Sequence, residues 1–487
     1  MARRRNPYPG LIVVALVPAL ILGGCWRFAD GKAPAAVEVT STDTPAVVEE
    51  PVVEPAALTT PLLSVRRSPA VLARDVNLGA FTAEAEAFLP LIDDTSCVAL
   101  SVDGQMVAGS HAELPLRPAS NVKIITAAVA LEVLGADHTY TTEVRGTAEG
   151  GVVAGDLYLV GSGDPLLSSS WWNGPNAKYP PFNVTSIETL AQNIRHAGVT
   201  RIDGSVIGDA SRYDDEWYAP SWTDDVRFSE GGPVSALLVN DSREAIDRSS
   251  NDPVIGAATV LTEALAAVGV TVAGEPGEGV APDDAPVVAS VTSLPMTAVL
   301  QEMLTTSDNN TAEMVLKEIG VKAGGAGTRE AGLGVVLSTL QSWGVPTDAL
   351  VLVDGSGLSD DNRLTCGSLL AVVQHQDIAD PIGQGLAVAG QQGGTLSDAF
   401  VGTELEGVLR GKTGTLYNYD DGTGGKPAAK SLSGYVPVDG GGAIEFAMLL
   451  NGPQVAEKVV YRPIWDAFGD LLLTYPSGPT ATELGPR

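Results

Sequence analysis

Arg117-Pro-Ala-Ser-Asn-Val-Lys-Ile-Ile-Thr-Ala-Ala-Val-Ala-Leu-Glu-Val-Leu-Gly135 is the stretch on which the reading of this chain turns. From Val122 to Leu134 nearly every residue is apolar, Ala-rich helix formers recur, and Gly135 supplies a stop. A helix that is apolar on almost every face is expected in a protein interior. Its first turn nevertheless carries Ser120 and Lys123, three residues apart and therefore stacked on one side. A hydroxyl beside an amine at the mouth of a buried helix has the chemistry of a nucleophile with its base. The helix N-terminus adds free N–H groups and partial positive charge, which favour an oxyanion forming beside Ser120. A Ser N-cap followed by a snorkelling Lys explains the same residues, and a lone Ser-x-x-Lys does not choose between the two.

Outward from this helix, 487 residues suffice for two or more domains with full-sized cores. A hydrophobic content of 44% excludes disorder throughout. The formal charge of −30 argues against nucleic acid as a partner, since phosphates reward basic surfaces. It argues equally against adhesion to anionic lipid or wall polymer through charge. His111, His138, His196 and His375 show no metal-ligand spacing and no Cys-x-x-Cys occurs, so neither a metal nor a cofactor is expected.

The N-terminus reads as an export signal. Arg3, Arg4 and Arg5 precede an apolar run from Leu11 to Leu22 that ends at Gly23-Gly24-Cys25. The run is short for a membrane span, which needs about 20 residues. Leu22-Gly-Gly-Cys25 resembles a lipoprotein cleavage site with Cys25 as the lipidated first residue, and an uncleaved anchor is the other reading. Either way the body lies outside the cytoplasmic membrane and touches it through the N-terminus only. Residues 26–76, rich in Pro, Val, Glu and Thr, are expected to form a disordered spacer. In that compartment Cys97 and Cys366 are able to form a disulfide, though two buried thiols fit the sequence equally.

Beyond the spacer, residues 80–92 have a helical pattern, and Cys97 to Gly104 with Met106 to Ser110 reads as a hairpin. Short strands and Gly turns dominate from 141 to 290, with helical stretches at Ile187 to Ala197 and Ala257 to Val268. This block, which holds Trp171, Trp172, Trp217 and Trp222, is expected to be an accessory domain inserted into a catalytic domain formed by 77–140 and 291–487. Its Trp residues suit packing and loop anchoring, or a sugar platform. Helices return at Met296 to Leu304, and Asn310 with Glu313 predicts a capping box for a further helix to Ile319. Val408 to Leu416 is strand-like. Ser431 to Val436 and Ala443 to Leu450 predict a hairpin around Asp439-Gly440-Gly441-Gly442, and Ala456 to Leu473 an amphipathic helix covering the sheet.

Three short motifs then fall in order: Ser120-Asn-Val-Lys123, Ser307-Asp-Asn309 and Lys412-Thr-Gly-Thr415. Ser249-Ser-Asn251 also satisfies the second pattern, but only Ser307 lies on a short link between two apolar helices. Together the three form the set of the active-site serine penicillin-recognising enzymes. Leu159-Val-Gly-Ser-Gly-Asp-Pro-Leu166, Asp354-Gly-Ser-Gly-Leu-Ser359, Gly390-Gln-Gln-Gly-Gly-Thr-Leu396 and Leu432-Ser-Gly-Tyr-Val436 narrow the match. From about residue 78 to about 475 the chain resembles the class C low-molecular-mass penicillin-binding proteins, the D-alanyl-D-alanine carboxypeptidases/endopeptidases.

That resemblance implies an α/β fold with a transpeptidase/β-lactamase-like core, an antiparallel sheet flanked by helices plus an all-helical region, interrupted by the accessory domain. It implies a peptidoglycan stem peptide as substrate and β-lactams as covalent inhibitors. Ser120 is then the nucleophile and Lys123 its base, with Ser307 and Lys412 relaying a proton to the leaving amine and Asn309 holding the substrate amide. Lys412, Thr413 and Thr415 would bind the terminal carboxylate, Gly414 would let the substrate lie along its strand, and the N–H groups of Ser120 and Thr415 would form the oxyanion hole. Lys412 at roughly 6 Å, in an effective dielectric of about 20, would cost the Lys123 ammonium about 2.8 kcal/mol, or about two pKa units, and burial can supply more. In such proteins an Asp of the insert helps bind the stem peptide's diamino acid. Asp209, in Ile207-Gly-Asp-Ala-Ser-Arg-Tyr213, matches that position, and a plain turn Asp is the other reading. Asp354 to Ser359 is expected as a tight turn lining the cleft. The insert is short against some relatives, and the Gly-Asp-rich stretch Asn418 to Ala429 is an addition beside the Lys412 motif. A β-lactamase is opposed by the insertion over 141–290 and by the lack of an evident Glu-x-x-x-Asn loop between the first two motifs. A non-catalytic wall-binding scaffold would not need Ser120, Lys123, Ser307 and Lys412 together.

Overall fold

The computed structural model describes residues 68–172, 179–245, 248–417, 428–438 and 442–485. The export signal with Cys25, the spacer as far as residue 67, residues 418–427 of the Gly-Asp-rich addition and the hairpin tip at 439–441 lie outside the described residues. The first described element is helix α1, Ser68–Phe88. The spacer expected over 26–76 is corrected accordingly, because residues 68–76 belong to this helix, which buries Ala73 and Leu78.

Two strands follow, β1 (Cys97–Val102) and β2 (Gln105–Ser110), and then α2 (Val122–Val133). The chain next builds a second sheet from β3 (Thr141–Arg145), β4 (Leu157–Val160), β5 (Val206–Asp209), β6 (Gly277–Glu278) and β7 (Val287–Thr292). Two helices, α3 (Ile187–His196) and α4 (Pro253–Ala267), pack against it. Its strand order is β6-β5-β4-β3-β7. The strand that brings the chain in, β3, and the strand that takes it out, β7, are antiparallel neighbours with Thr141 opposite Thr292. That closure lets the block stand as an insertion with a core of its own.

The chain then returns through α5 (Met296–Thr306), α6 (Asn309–Ile319), α7 (Arg329–Ser342) and α8 (Cys366–His375). It ends in β8 (Ala387–Val388), β9 (Arg410–Leu416), β10 (Ala428–Pro437), β11 (Ala443–Gly452) and α9 (Lys458–Leu472). The first sheet runs β8-β9-β10-β11-β1-β2, every pair antiparallel. Successive strand residues point to opposite faces, and each face has its own core. Cys97 and Ala99 of β1 join the helices α2, α5, α6 and α8, whereas Val98, Leu100 and Val102 join α1 and α9 around Phe81, Trp465 and Phe468. The fold is mixed α/β, a transpeptidase/β-lactamase-like core with an extra sheet inserted.

Helix α2 runs through the helical core with every residue from Val122 to Ala130 buried, as an apolar surface on all sides demands. The question left open for the cysteines has one answer here: Cys97 and Cys366 form a disulfide between β1 and α8.

Candidate active site

Ser120 stands at the mouth of α2, in a single 3-10 turn, Ala119–Asn121. Ala119 takes φ 49°, a left-handed value uncommon for a residue with a side chain. The turn leaves Ser120 partly open to solvent between buried Ala119 and Asn121. One turn on, the wholly buried Lys123 points back toward the helix start, as helical side chains do. Its Nζ donates to Ser120 Oγ at 3.1 Å, to Asn309 Oδ1 at 2.6 Å and to the Ser356 carbonyl at 2.7 Å. Three ammonium protons thus have three acceptors, one of them the hydroxyl of Ser120.

Ser307 ends α5 at φ 69°, again left-handed. The bend lets the Asp308 carboxylate accept from Thr311 N at 2.6 Å and cap α6. The expected capping box at Asn310 and Glu313 is therefore corrected, since the helix begins before Asn310 and both side chains serve amides elsewhere. Asn310 Oδ1 accepts from Gly232 N at 2.8 Å, and Glu313 Oε1 from Gly355 N and Ser356 N at 2.9 and 2.8 Å. Asn309 is oriented at both ends of its amide, with Oδ1 on Lys123 and Nδ2 donating to the Glu230 carbonyl at 2.7 Å.

Strand β9 closes the site. Lys412, fully buried, donates to Ser307 Oγ and to the Thr413 carbonyl, each at 2.8 Å. Thr413 and Thr415 alternate with it on the opposite face of the strand. A Cβ on Gly414 would strike Ser431 Oγ and come within 2.9 Å of both Ala119 Cβ and Pro118 O. The missing side chain of Gly414 therefore makes room for the Ser431 hydroxyl and the Ser120 turn. The Ser431 hydroxyl of β10 donates to the same Pro118 carbonyl at 2.8 Å.

Burial pushes the Lys123 ammonium down from 10.5 to about 8, against Asp354, Asp308, Glu313 and Glu230, which hold it up. Burial also drives Lys412 well below its ordinary value, and the charges of Lys123 and Lys430 add to the effect. Of the two expected sources, repulsion from Lys412 and burial, desolvation leads for Lys123, because neither ammonium has bulk water around it.

Asp209 is not brought to this cluster. It is 4% exposed at the end of β5, and its carboxylate accepts from Ser211 N at 2.9 Å and from Ala281 N at 2.8 Å. Both bonds lie within the insert and hold Asp209 in its own turn, one backbone N–H on each carboxylate oxygen. The other site residues meet. Ser120, Lys123 and Asn309 form one hydrogen-bonded group, Ser307 and Lys412 a second, with Thr413, Gly414 and Thr415 on the strand beside both.

Sequence reasoning missed three supports. Lys430 donates to Thr415 Oγ1 at 2.8 Å, and the β9–β10 register that sets Thr415 opposite Lys430 was its only signal. Asp354 is more than a turn residue, because it accepts from Gly357 N, Ser359 N, Asn362 Nδ2 and, from the insert, Trp222 Nε1. Glu313 reaches the same loop. Among the described residues no group of three or more His, Cys, Asp or Glu is arranged to hold a metal. The arrangement suits acyl transfer: a hydroxyl on a buried amine of lowered proton affinity, with a second amine–hydroxyl pair alongside.

The family model for D-Ala-D-Ala carboxypeptidase 3 (S13) matches residues 93–246 and 240–470. The chain is 31% identical over 421 residues to the D-alanyl-D-alanine carboxypeptidase of Actinomadura sp. strain R39, covering 69% of this chain and 73% of the relative. It is 30% identical over 464 residues to carboxypeptidase DacB of Mycolicibacterium smegmatis, covering 91% and 92%. In fold it is similar to the crystal structure of penicillin binding protein 4 (dacB) from Haemophilus influenzae, with TM-score 0.65 at 18% identity, over 80% of this chain and 99% of that one.

Proposed function

The chain belongs to the D-Ala-D-Ala carboxypeptidase 3 (S13) family, and from that premise we propose how its residues carry the reaction. It is a serine D-Ala-D-Ala carboxypeptidase acting on peptidoglycan outside the cytoplasm, a setting with which the Cys97–Cys366 disulfide agrees. In our reading neutral Lys123 takes the Ser120 proton as Oγ attacks the carbonyl carbon of the D-Ala–D-Ala amide. The N–H groups of Ser120 and Thr415 receive the oxyanion. When the C–N bond breaks, the Lys412 ammonium supplies a proton through the Ser307 hydroxyl to the departing amine. Free D-Ala leaves, and an ester on Ser120 remains. The proton taken by Lys123 then passes back to Lys412 through the Ser307 hydroxyl, which returns both lysines to their starting states. Neutral Lys123 takes a proton from water as the water oxygen attacks the ester carbonyl, and gives it to Ser120 Oγ as the acyl–oxygen bond breaks, leaving the carboxylic acid product and the free hydroxyl.

Asn309 holds the acyl-side amide through its Nδ2 group. Lys412, Thr413 and Thr415 bind the terminal carboxylate, which needs a cation and hydroxyl donors. A β-lactam enters by the same attack, but its opened ring stays attached and blocks water, so it inhibits covalently. The export signal and spacer read from the sequence either tether the enzyme to the outer face of the cytoplasmic membrane or secrete it to the cell wall.

The observation that carries this reading is the 3.1 Å contact from Lys123 Nζ to Ser120 Oγ, made by an amine with no bulk water around it. The test is fluorescent penicillin labelling of wild type beside Ser120→Ala. Covalent label is expected on the wild type alone. No label on either would leave a scaffold, and rapid turnover without adduct would indicate a β-lactamase. A stem-peptide monomer beside a crosslinked dimer as substrates separates trimming from crosslink cutting.

A further inference from the structure

Behind Lys123 lies a buried chain of groups that the reaction does not touch. Glu313, on α6, is 1% exposed. Its Oε1 accepts from Gly355 N and Ser356 N, and its Oε2 accepts from Arg329 Nε at 3.0 Å. Arg329, on α7, reaches on to the Glu216 carboxylate of the insert. The segment gripped in this way matters because Ser356, held by its N–H, also carries the carbonyl that is one of the three acceptors around Lys123. The same loop backs the nucleophile: Gly357, at φ 85°, lies so close over Ala119 that a side chain there would strike the Ala119 carbonyl. A Glu serving only its own helix would reach back to the N-cap, and Glu313 does not.

We infer that Glu313 is a positioning residue for Lys123: by gripping the N–H groups of Gly355 and Ser356 it fixes the next carbonyl along the chain, that of Ser356, which aims the Lys123 amine at Ser120. The inference rests on the reading of Lys123 as the base. Reach and charge contribute separately. Reach sets where the Ser356 carbonyl stands. Charge acts with Asp354, Asp308 and Glu230 to raise the proton affinity of Lys123, while Lys412 faces the cluster from β9 and Arg329 offsets Glu313 from behind.

The experiment is the rate of acylation of the full chain by fluorescent penicillin, from about pH 5 to pH 10, for wild type, Glu313→Asp and Glu313→Gln. Glu313→Asp keeps the charge and loses the reach. Its plateau rate is expected to fall about 10- to 100-fold with the midpoint near that of wild type, as for a misplaced catalytic group. Glu313→Gln keeps the reach and loses the charge, so its midpoint is expected to move to lower pH. A residue needed only for folding would reduce the amount of labelled protein without moving the midpoint or the rate of the molecules that label. Wild-type plateau and midpoint in both variants, each shown folded by its urea transition, would overturn the inference. If Glu313→Gln is not recovered folded, Glu313→Asp decides alone, a wild-type plateau refuting and a reduced one supporting. Lys123→Met separates the two readings: if it acylates at the wild-type rate the base assignment fails, whereas its loss beside an unaffected Glu313→Asp sinks the positioning role only.

Discussion

At the scale of single residues, the site works because two lysines are kept out of water. Lys123, with its ammonium lowered to about 8, is neutral in about one molecule in ten at pH 7, where an unperturbed lysine would be neutral in fewer than about one in a thousand. Attack requires the neutral amine, so acylation by a β-lactam should rise with pH through about 8 and then level. Stopped-flow acylation across that range checks the sign, and a rate that falls between about pH 6 and pH 8 would contradict it. Lys412 is the partner of Ser307, and in the proposed mechanism it acts in the other direction, as the cation of the carboxylate site. Lys412→Ala should slow acylation by about 10²- to 10³-fold, comparable to losing a donor from an oxyanion hole. Wild-type acylation in that variant would overturn its role as carboxylate partner. These residues were legible in the sequence because each motif is short and self-contained. Asp209 was less legible, because an Asp in a turn looks the same in sequence whether its oxygens face a ligand or its own backbone, and the bonds from Ser211 N and Ala281 N are visible only in the structure.

At the scale of elements, the decisive contact is β9 against the turn that precedes α2. Gly414→Ala would drive a methyl into the buried Ser431 Oγ and place it within 2.9 Å of Pro118 O and Ala119 Cβ, pushing the strand away from Ser120. Acylation should fall about 100-fold, and overpacking should lower the urea midpoint by an amount corresponding to about 1–3 kcal/mol. The disulfide ties another pair of elements, β1 and α8, across 269 residues of chain, and both cysteines are fully buried. Replacing both by Ala should cost about 2–5 kcal/mol, read from the urea midpoint. An unchanged midpoint would show that the helical core alone fixes these elements. Helix α2 and the β10–β11 hairpin were readable because apolar pattern and Gly stops are local signals. The start of α6 was not, because Asp308 and Asn310 are equally good caps on paper. What separates them is Gly232 N, which claims Asn310 from the insert.

At the scale of the whole molecule, the insert is a working wall of the site as well as an appendage. The pairing of β3 with β7 would permit its removal without leaving loose ends. Yet Asp214 holds the buried Lys317 at 2.6 Å, Arg212 pairs with Glu318, Gly232 N and the Glu230 carbonyl hold Asn310 and Asn309, and Trp222 Nε1 donates to Asp354 Oδ2 at 2.9 Å. None of these bonds can be read from sequence, since each joins polar residues more than seventy positions apart with no periodic signal. They make the insert and the catalytic helices one mechanical unit, and Trp222 offers the cleanest way to test that. Trp222→Phe keeps an aromatic ring but removes the pyrrole part of the buried indole with its N–H, leaving the Asp354 carboxylate with Gly357 N, Ser359 N and Asn362 Nδ2. A buried carboxylate short of one donor costs about 1–3 kcal/mol, so the urea midpoint should fall by a corresponding amount. Because Asp354 organises the loop whose Ser356 carbonyl meets Lys123, penicillin acylation should slow as well, although Trp222 lies in the insert and outside all three motifs. A folded Trp222→Phe protein that acylates at the wild-type rate would mean that the insert merely covers the site and takes no part in holding its shape.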